Sequence, residues 1–237
     1  HLQHEAVKRE IVTWDHYADG ILEVFSKTAG KNLECHPAYF SIGMQEQIKA
    51  YLEEMDTDQC IILCSNYYPP RFVGGAELIA HSQAKVLAND RKMPVIVFSL
   101  DVSGKYMEQY CYMEFYDGIP VVRFCIAAGH FHPDGVNFFH KGINEAFSQL
   151  CALVKPFVVH CHNMIGLSLG MIALAKQAGA KVCVTLHDHW GFCYRNTLLT
   201  NSGKLCNDIF ACEACMDALH DGGIQIPSSV RQKYIRK

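Results

Sequence analysis

The stretch KVCVTLHDHW, residues 181–190, begins as an apolar strand and ends in polar and aromatic side chains. His187 stands directly before Asp188, and a neighbouring carboxylate can tune the charge and orientation of an imidazole near neutral pH. We therefore predict that His187 and Asp188 bind a hydroxyl group or move a proton. For Asp188 considered alone, a purely structural role is the alternative.

The stretch HCHNMIGLS, residues 160–168, also follows an apolar strand. His160 and His162 are two residues apart, so the pleat of a strand directs both rings to the same face. We expect His162 and Asn163 to bind hydroxyl groups. The alternative is a structural histidine whose hydrogen bonds are all made inside the core. This alternative is strongest for His160.

The third motif, NYYPPRFVGGAE at residues 66–77, follows the first apolar strand. Gly74 and Gly75 lead into a helix, and paired glycines let the backbone approach a ligand closely. A helix N-terminus presents free N–H groups and the positive end of the helix dipole, which favours phosphate. The spacing matches neither G-x-G-x-x-G nor a P-loop. A plain turn at the helix start is the alternative to a phosphate-binding loop.

Strands and helices alternate around these motifs. Short continuous apolar runs are typical of strands buried on both faces, and Asp117-Gly118 between two extended runs predicts a hairpin. Strands that alternate with helices imply right-handed βαβ crossovers and a mostly parallel α/β sheet. The predicted strands span 60–65, 94–100, 157–162, 181–187 and 222–229, and the predicted helices span 44–54, 76–89, 138–154 and 165–178.

The three polar motifs should converge, because ligands bind outside the carboxyl ends of the strands in an open α/β sheet. Each motif follows a different strand. A metal-dependent enzyme would also have polar side chains at this edge of the sheet. The pairs His160-x-His162 and His187-x-His189 could ligate a catalytic metal, as in a metal-dependent hydrolase.

Four cysteines lie close together near the end of the sequence: Cys193, Cys206, Cys212 and Cys215. Four thiolates in one irregular loop suit a tetrahedral structural zinc, although only the last pair has tight metal-ligand spacing. An iron–sulfur centre and a set of unligated thiols are the alternatives.

Bulk composition gives no support for several classes of partner. The net charge of −3 and the pI near 6.5 show no basic field for nucleic acid or a membrane surface. No apolar run is long enough to span a bilayer, and no export signal opens the sequence. Most of the cysteines outside the cluster stand singly in apolar strands, as free thiols do. We therefore expect a reducing, cytoplasmic location.

Residues 59–237 resemble glycosyltransferase family 4. The stretch YYPPRFVGGAELIAHSQAKVLAND is similar to the opening of that family, with Pro-Pro followed by Gly-Gly-Ala-Glu and a helix. The stretches PFVVHCHN and TLHDHW resemble its two further conserved blocks, in the same order and spacing. Phe157 departs from the pattern, because the family often has Asp at that position.

The resemblance implies a GT-B fold, in which two Rossmann-like, doubly wound domains face each other across a cleft. It also implies a retaining transfer of a sugar from a nucleotide-sugar donor to a glycan, lipid or small-molecule acceptor, with no metal or other cofactor in catalysis. The N-terminal domain mainly holds the acceptor. The C-terminal domain binds the nucleotide and carries a Glu-x7-Glu motif.

The resemblance also assigns roles to individual residues. Gly74 and Gly75 would approach the donor diphosphate, and His187 would hydrogen-bond a hydroxyl of the donor sugar beside the reacting carbon. The remaining residues would line the acceptor or sugar side: Glu77, Asp188, His162, Asn163 and Arg195.

The resemblance divides the chain into three parts. Residues 1–28 resemble the closing helix of another family-4 module and form a helical arm, residues 29–57 form a linker with a short helix, and 58–237 form the N-terminal GT-B domain. We expect a fragment of a longer polypeptide with tandem modules, inactive without its nucleotide-binding domain. A non-catalytic sugar-binding module is a further alternative.

Overall fold

A computed structural model of the chain describes residues 39–55, 59–71, 74–126, 139–189, 193, 196–200, 202–207 and 215. The chain divides into two compact units, His1–His36 and Pro37–Lys237, and every described residue belongs to the second. The predicted helical arm at 1–28 and the predicted strand at 222–229 lie outside the described residues.

The second unit contains a six-stranded sheet with helices on both faces. Its strands are β1 (Ile61–Ser65), β2 (Val95–Asp101), β3 (Cys111–Tyr116), β4 (Ile119–Cys125), β5 (Val158–Cys161) and β6 (Lys181–Val184). Its helices are α1 (Ile42–Glu53), α2 (Gly75–Lys85), α3 (Lys141–Val154) and α4 (Gly170–Gln177), and α2 continues as one π-helical segment over Val86–Asp90.

The spatial order of the strands is β3-β4-β2-β1-β5-β6. Every pairing is parallel except that of β3 with β4. The chain moves outward from β1 through β2 to β4, and then returns to the other side of β1 to form β5 and β6. The parallel part therefore has the Rossmann-like, doubly wound order that the sequence predicts, with its switch point between β1 and β5.

The predicted hairpin is present, and the two residues Asp117 and Gly118 form its turn. Both have positive φ angles, 48° and 77°. A turn of this kind matches the right-handed twist of the flanking strands, which is why Asp-Gly favours it. The hairpin gives the sheet an antiparallel edge strand.

Alternating side chains of the strands build two cores. On one face, Leu63 and Val97 pack with Ala80 and Ala84 of α2, whose small side chains bring the helix close to the sheet. On the other face, Phe98 of β2 meets Phe147 of α3 edge-on, with ring centroids 5.5 Å apart. Helix α2 therefore covers the face of β1 on which the odd-numbered residues lie.

Helix α1 is the short helix predicted within residues 29–57. It begins after Ser41, whose hydroxyl oxygen accepts a hydrogen bond from the Met44 N–H at 3.2 Å. The Tyr51 hydroxyl exchanges hydrogen bonds with the backbone of Val95, at 3.1 and 3.0 Å. The helix is thereby attached to the start of β2.

The other predicted elements inside the described residues are confirmed, with two notable shifts at their ends. Strand β6 ends at Val184 rather than at residue 187, because its partner β5 ends at Cys161. The last bond joins the Thr185 N–H to the Cys161 carbonyl at 2.8 Å. Helix α4 begins at Gly170 rather than at residue 165. Among the described helices, none combines the length and the apolar character that crossing a bilayer requires.

The hairpin turn gives a first prediction. The left-handed conformation at Gly118 costs an L-residue about 1–2 kcal/mol, so Gly118→Ala should lower the free energy of unfolding by that amount. Gly43→Ala is the matched control, since Gly43 is exposed in α1 and an added methyl group would meet no heavy atom within 4 Å. It should raise stability by up to about 1 kcal/mol. Equal effects of the two changes in urea unfolding would contradict the turn geometry.

Candidate active site

The strand register brings the histidine motifs together at the carboxyl edge of the sheet. His160 lies level with Leu63 of β1, and the His162 N–H bonds to the Cys64 carbonyl at 2.8 Å. Both imidazoles therefore lie on the face covered by α2, as the alternation predicts. Their rings stack with centroids 4.3 Å apart. The His187 ring, from the segment after β6, stacks next to His162 at 5.3 Å.

A continuous chain of hydrogen bonds connects these rings to helix α2. His162 Nδ1 lies 3.1 Å from His187 Nε2, and His162 Nε2 lies 2.6 Å from the Gln83 amide oxygen. The Gln83 amide nitrogen lies 3.0 Å from His160 Nδ1, and His160 Nε2 lies 2.8 Å from the Thr185 hydroxyl. We call these five residues the histidine cluster. Gln83 and Thr185 were not identified from the sequence.

The inner part of the histidine cluster is buried and neutral. His162 is 3% exposed, and burial, reinforced by the neighbouring His160 and His187, lowers its pKa to about 4. Burial, with a smaller contribution from His187, also lowers the pKa of His160. His187 itself is exposed. The cluster thus presents one exposed imidazole supported by a buried ring that carries no charge at neutral pH.

Asn163 continues from His162 and joins the two central strand ends. Its carbonyl accepts a hydrogen bond from the Asn66 N–H at 2.9 Å, and its side-chain oxygen accepts one from the Ile165 N–H at 3.1 Å. The loops after β1 and β5 are thereby fixed side by side at the switch point. The structure brings Asn163 to the expected edge of the sheet, where its side chain shapes its own loop.

The Gly-Gly motif begins α2, with Gly74 as the residue before the first helical one. The Glu77 carboxylate accepts a hydrogen bond from the Gly74 N–H at 2.9 Å and is 2% exposed. Glu77 therefore caps this helix from inside. A Cβ on Gly74 or Gly75 would meet no heavy atom within 4 Å, so packing inside the chain does not explain the glycines. This open space is compatible with close approach of a ligand, and the phosphate loop stays a prediction.

Arg123 of β4 holds the loop that leads to the Gly-Gly motif. Its guanidinium donates to the carbonyls of Tyr68 and Pro69, at 3.1 and 2.7 Å, and its Nε donates to Glu114 at 2.8 Å. The peptide bond between Pro69 and Pro70 is cis. Arg123 is 4% exposed. Its sequence signal was a single charge within the apolar run IPVVRFCI, because a buried charge requires partners.

A second connection joins the same loop to α2 and the hairpin. The Tyr68 hydroxyl lies 2.8 Å from His81 Nδ1, and His81 Nε2 lies 3.1 Å from an Asp117 carboxylate oxygen. The order of groups resembles a catalytic triad. Tyr68 is fully buried, however, and burial raises the pKa of its hydroxyl. The three side chains therefore brace the loop, because no substrate can reach the phenolic oxygen.

The remaining predicted residues are only partly described. Asp188 is half-buried beside His187, and Arg195 lies outside the described residues. In the four-cysteine loop, Cys193 is buried, Cys206 and Cys215 are half-buried, and Cys212 lies outside the described part. Within that part, no group of three or more His, Cys, Asp or Glu side chains could hold a metal ion. Structural zinc stays a prediction, because one of its four proposed ligands is not described.

The geometry gives no support to the metal-hydrolase alternative. Both ring nitrogens of His160 and both of His162 are already within hydrogen-bonding distance of neighbouring residues. His189 is exposed, and its backbone N–H bonds to the Asn196 carbonyl at 2.9 Å.

Comparison with known proteins gives one family match. The model of Glycosyltransferase Family 4 matches residues 73–213, which is more than half of the chain. The search of curated proteins found no match. A solved structure described as trehalose-6-phosphate from E. coli bound with UDP-2-fluoro glucose is similar over 68% of this chain and 43% of that chain. At 10% identity and a TM-score of 0.31, this likeness carries no conclusion about activity or ligand.

The buried neutral imidazole predicts a pH dependence of stability. The pKa of His162 is about 4 in the folded chain and about 6.5 when unfolded, so the unfolded state binds more protons between these values. The free energy of unfolding should therefore fall as the pH drops from about 6.5 to 4, by up to about 1.4 kcal/mol per pH unit for this group. Urea unfolding across that range measures it. His162→Gln should reduce the slope of the free energy of unfolding against pH, whereas His189→Gln should not. Equal slopes in all three proteins would contradict this prediction.

The Arg123 contacts predict a large loss of stability on substitution. Arg123→Leu should leave the carbonyls of Tyr68 and Pro69 without a donor, at about 1–3 kcal/mol each. Glu114→Gln is the control and should cost less, because Glu114 is 39% exposed and a glutamine oxygen can still accept the hydrogen bond from Arg123 Nε. The urea midpoints of both variants measure the difference. A change below about 1 kcal/mol in Arg123→Leu would show that the loop does not depend on the guanidinium.

Proposed function

The chain belongs to glycosyltransferase family 4, and we propose that its sheet is the acceptor-side domain of a retaining glycosyltransferase. The enzyme would transfer a sugar from a nucleotide-sugar donor to a glycan, lipid or small-molecule acceptor. The observation that carries the proposal is the convergence of His162, Asn163 and His187 at the switch point of the sheet, all within the family match. Ligands bind at this position in doubly wound sheets.

His187 is the group that we assign to the transferred sugar. It is the exposed member of the histidine cluster, and it is held by stacking and by its hydrogen bond to His162. A neutral imidazole can accept or donate a hydrogen bond with a sugar hydroxyl. Asp188, half-buried beside it, would assist at the acceptor side together with Arg195.

Helix α2 connects the sugar site with the proposed diphosphate site. Gly74 and Gly75 stand at its N-terminus, where the helix dipole favours an anion. Gln83, at the other end of the same helix, is bonded to the histidine cluster. With a rise of 1.5 Å per residue, the eight steps from Gly75 to Gln83 span about 12 Å. A rigid helix would thus set the distance between the diphosphate and the sugar.

The chemistry would depend mainly on positioning and electrostatic stabilisation of the leaving diphosphate. No metal or other cofactor is needed for the proposed reaction. We propose that the nucleotide is bound by a second Rossmann-like domain outside the described residues, so that the 237-residue chain alone is inactive. The described cysteines are free thiols, which supports a reducing, cytoplasmic location.

A transfer assay tests the proposal. The protein encoded by the complete native reading frame would be incubated with a panel of UDP-, GDP- and ADP-sugars. Release of nucleoside diphosphate would be measured with and without candidate acceptors. Release that depends on an acceptor, without added divalent metal, is the expected result. Hydrolysis that requires a divalent metal and no nucleotide sugar would contradict it.

The same assay gives a prediction for His187. His187→Ala should lower kcat/KM roughly tenfold to a hundredfold, because a sugar hydroxyl left without its partner costs about 1–3 kcal/mol. His189→Ala is the control, since the His189 imidazole is also exposed but lies outside the histidine cluster. Equal activity of the His187→Ala variant and the unmodified protein would remove His187 from the sugar site.

A further inference from the structure

The Gln83 side chain lies between the half-buried ring of His160 and the buried ring of His162 and contacts both. Its amide oxygen is 2.6 Å from His162 Nε2, and its amide nitrogen is 3.0 Å from His160 Nδ1. An amide oxygen only accepts hydrogen bonds, and an amide NH2 group only donates them. The two ends of one side chain therefore impose opposite requirements on the two imidazoles.

These requirements fix the proton positions on both rings. His162 must carry a hydrogen on Nε2 in order to donate to the Gln83 oxygen. His160 must have a lone pair on Nδ1 in order to accept from the Gln83 nitrogen. A neutral His160 then carries its hydrogen on Nε2 and donates it to the Thr185 hydroxyl, 2.8 Å away.

The requirement extends from His162 to the exposed ring. His162 is buried with a pKa of about 4, so it is neutral at pH 7 and its Nδ1 has a lone pair. His187 Nε2, 3.1 Å away, must then be the donor of their hydrogen bond. A neutral His187 with its hydrogen on Nε2 has a lone pair on Nδ1. The described contacts place no hydrogen-bond partner at that atom.

We propose that Gln83 is a positioning residue that sets the tautomer of His187 through His162, so that the exposed Nδ1 of His187 is a hydrogen-bond acceptor. Gln83 would act without touching the substrate. Helix α2 fixes its side chain, the sheet fixes His162, and stacking keeps the His187 ring parallel to its neighbour, with 23° between the planes.

This assignment has a consequence for ligand selection, and here the inference rests on the proposed function. A lone pair at His187 Nδ1 pairs with a hydroxyl or amino group, which can donate. It is repelled by an ether oxygen or a fluorine at the same position, because these groups only accept. The site should therefore discriminate against sugars that are O-methylated or fluorinated at the hydroxyl that meets His187.

The tautomers can be measured directly in the 237-residue chain at pH 7, without any ligand. The chain would be labelled with 15N-histidine, and two-bond proton–nitrogen correlation spectra would show which ring nitrogen of each histidine carries hydrogen. Single substitutions to Gln at His160, His162 and His187 would assign the three resonances among the 13 histidines. We expect all three rings to carry hydrogen on Nε2. A wild-type His162 or His187 with its hydrogen on Nδ1 would overturn the proposal.

Two variants then test whether Gln83 is the cause. Gln83→Leu removes both bonds at nearly constant volume, and we expect His162 and His187 to show a mixture of tautomers. Gln83→Glu offers two acceptor oxygens, so His160 should switch to Nδ1–H while His162 keeps Nε2–H. Gln177→Leu, an exposed change at the end of α4, is the matched control and should leave all three rings unchanged.

The outcomes separate this inference from the proposed function. A folded Gln83→Leu variant with unchanged tautomers would overturn the role of Gln83, whatever the chain transfers. If that variant does not fold, the wild-type spectrum still decides the tautomers of His162 and His187, and an unchanged His160 in Gln83→Glu would overturn the role of Gln83. Conversely, failure of the transfer assay would leave the tautomer result intact and would remove only its consequence for sugar selection.

Discussion

The parallel pairing of β5 with β1 and β6 is the constraint on which the candidate site depends. It places His160 and His162 on the face covered by α2, and it brings Thr185 to the same level. A shift of one residue in this register would turn both imidazoles to the opposite face, against α3 and α4. Burial then keeps His162 neutral, and only a neutral ring can accept a hydrogen bond from His187.

Helix α2 transmits this constraint to the rest of the site. Its first turn carries the Gly-Gly motif and is capped by Glu77, its middle is bonded through His81 to Tyr68, and its last turn places Gln83 between two imidazoles. Arg123 of β4 holds the loop before α2. The proposed diphosphate and sugar sites therefore belong to one rigid unit rather than to separate loops.

The sequence was sufficient for the parts of the fold that depend on local patterns. Continuous apolar runs and the Asp117-Gly118 pair predicted the strands and the hairpin, and the polar residues after them predicted the edge where His162 and His187 meet. Gln83 could not be predicted, because a glutamine within a helix looks like an ordinary surface residue. Its role arises only from strand register and helix docking, which join residues 77 and 79 positions apart.

In the proposed site, the bound sugar lies against His187. The most direct test is a titration of the complete native protein with UDP-glucose and related nucleotide sugars, in which the imidazole resonances of the histidine cluster are monitored. For the nucleotide sugar that the protein binds, we expect the resonances of His187 to shift most, those of His162 less and those of the exposed His189 least. Binding of a nucleotide sugar that leaves the His187 and His162 resonances unchanged would place the sugar elsewhere and remove His187 from the sugar site.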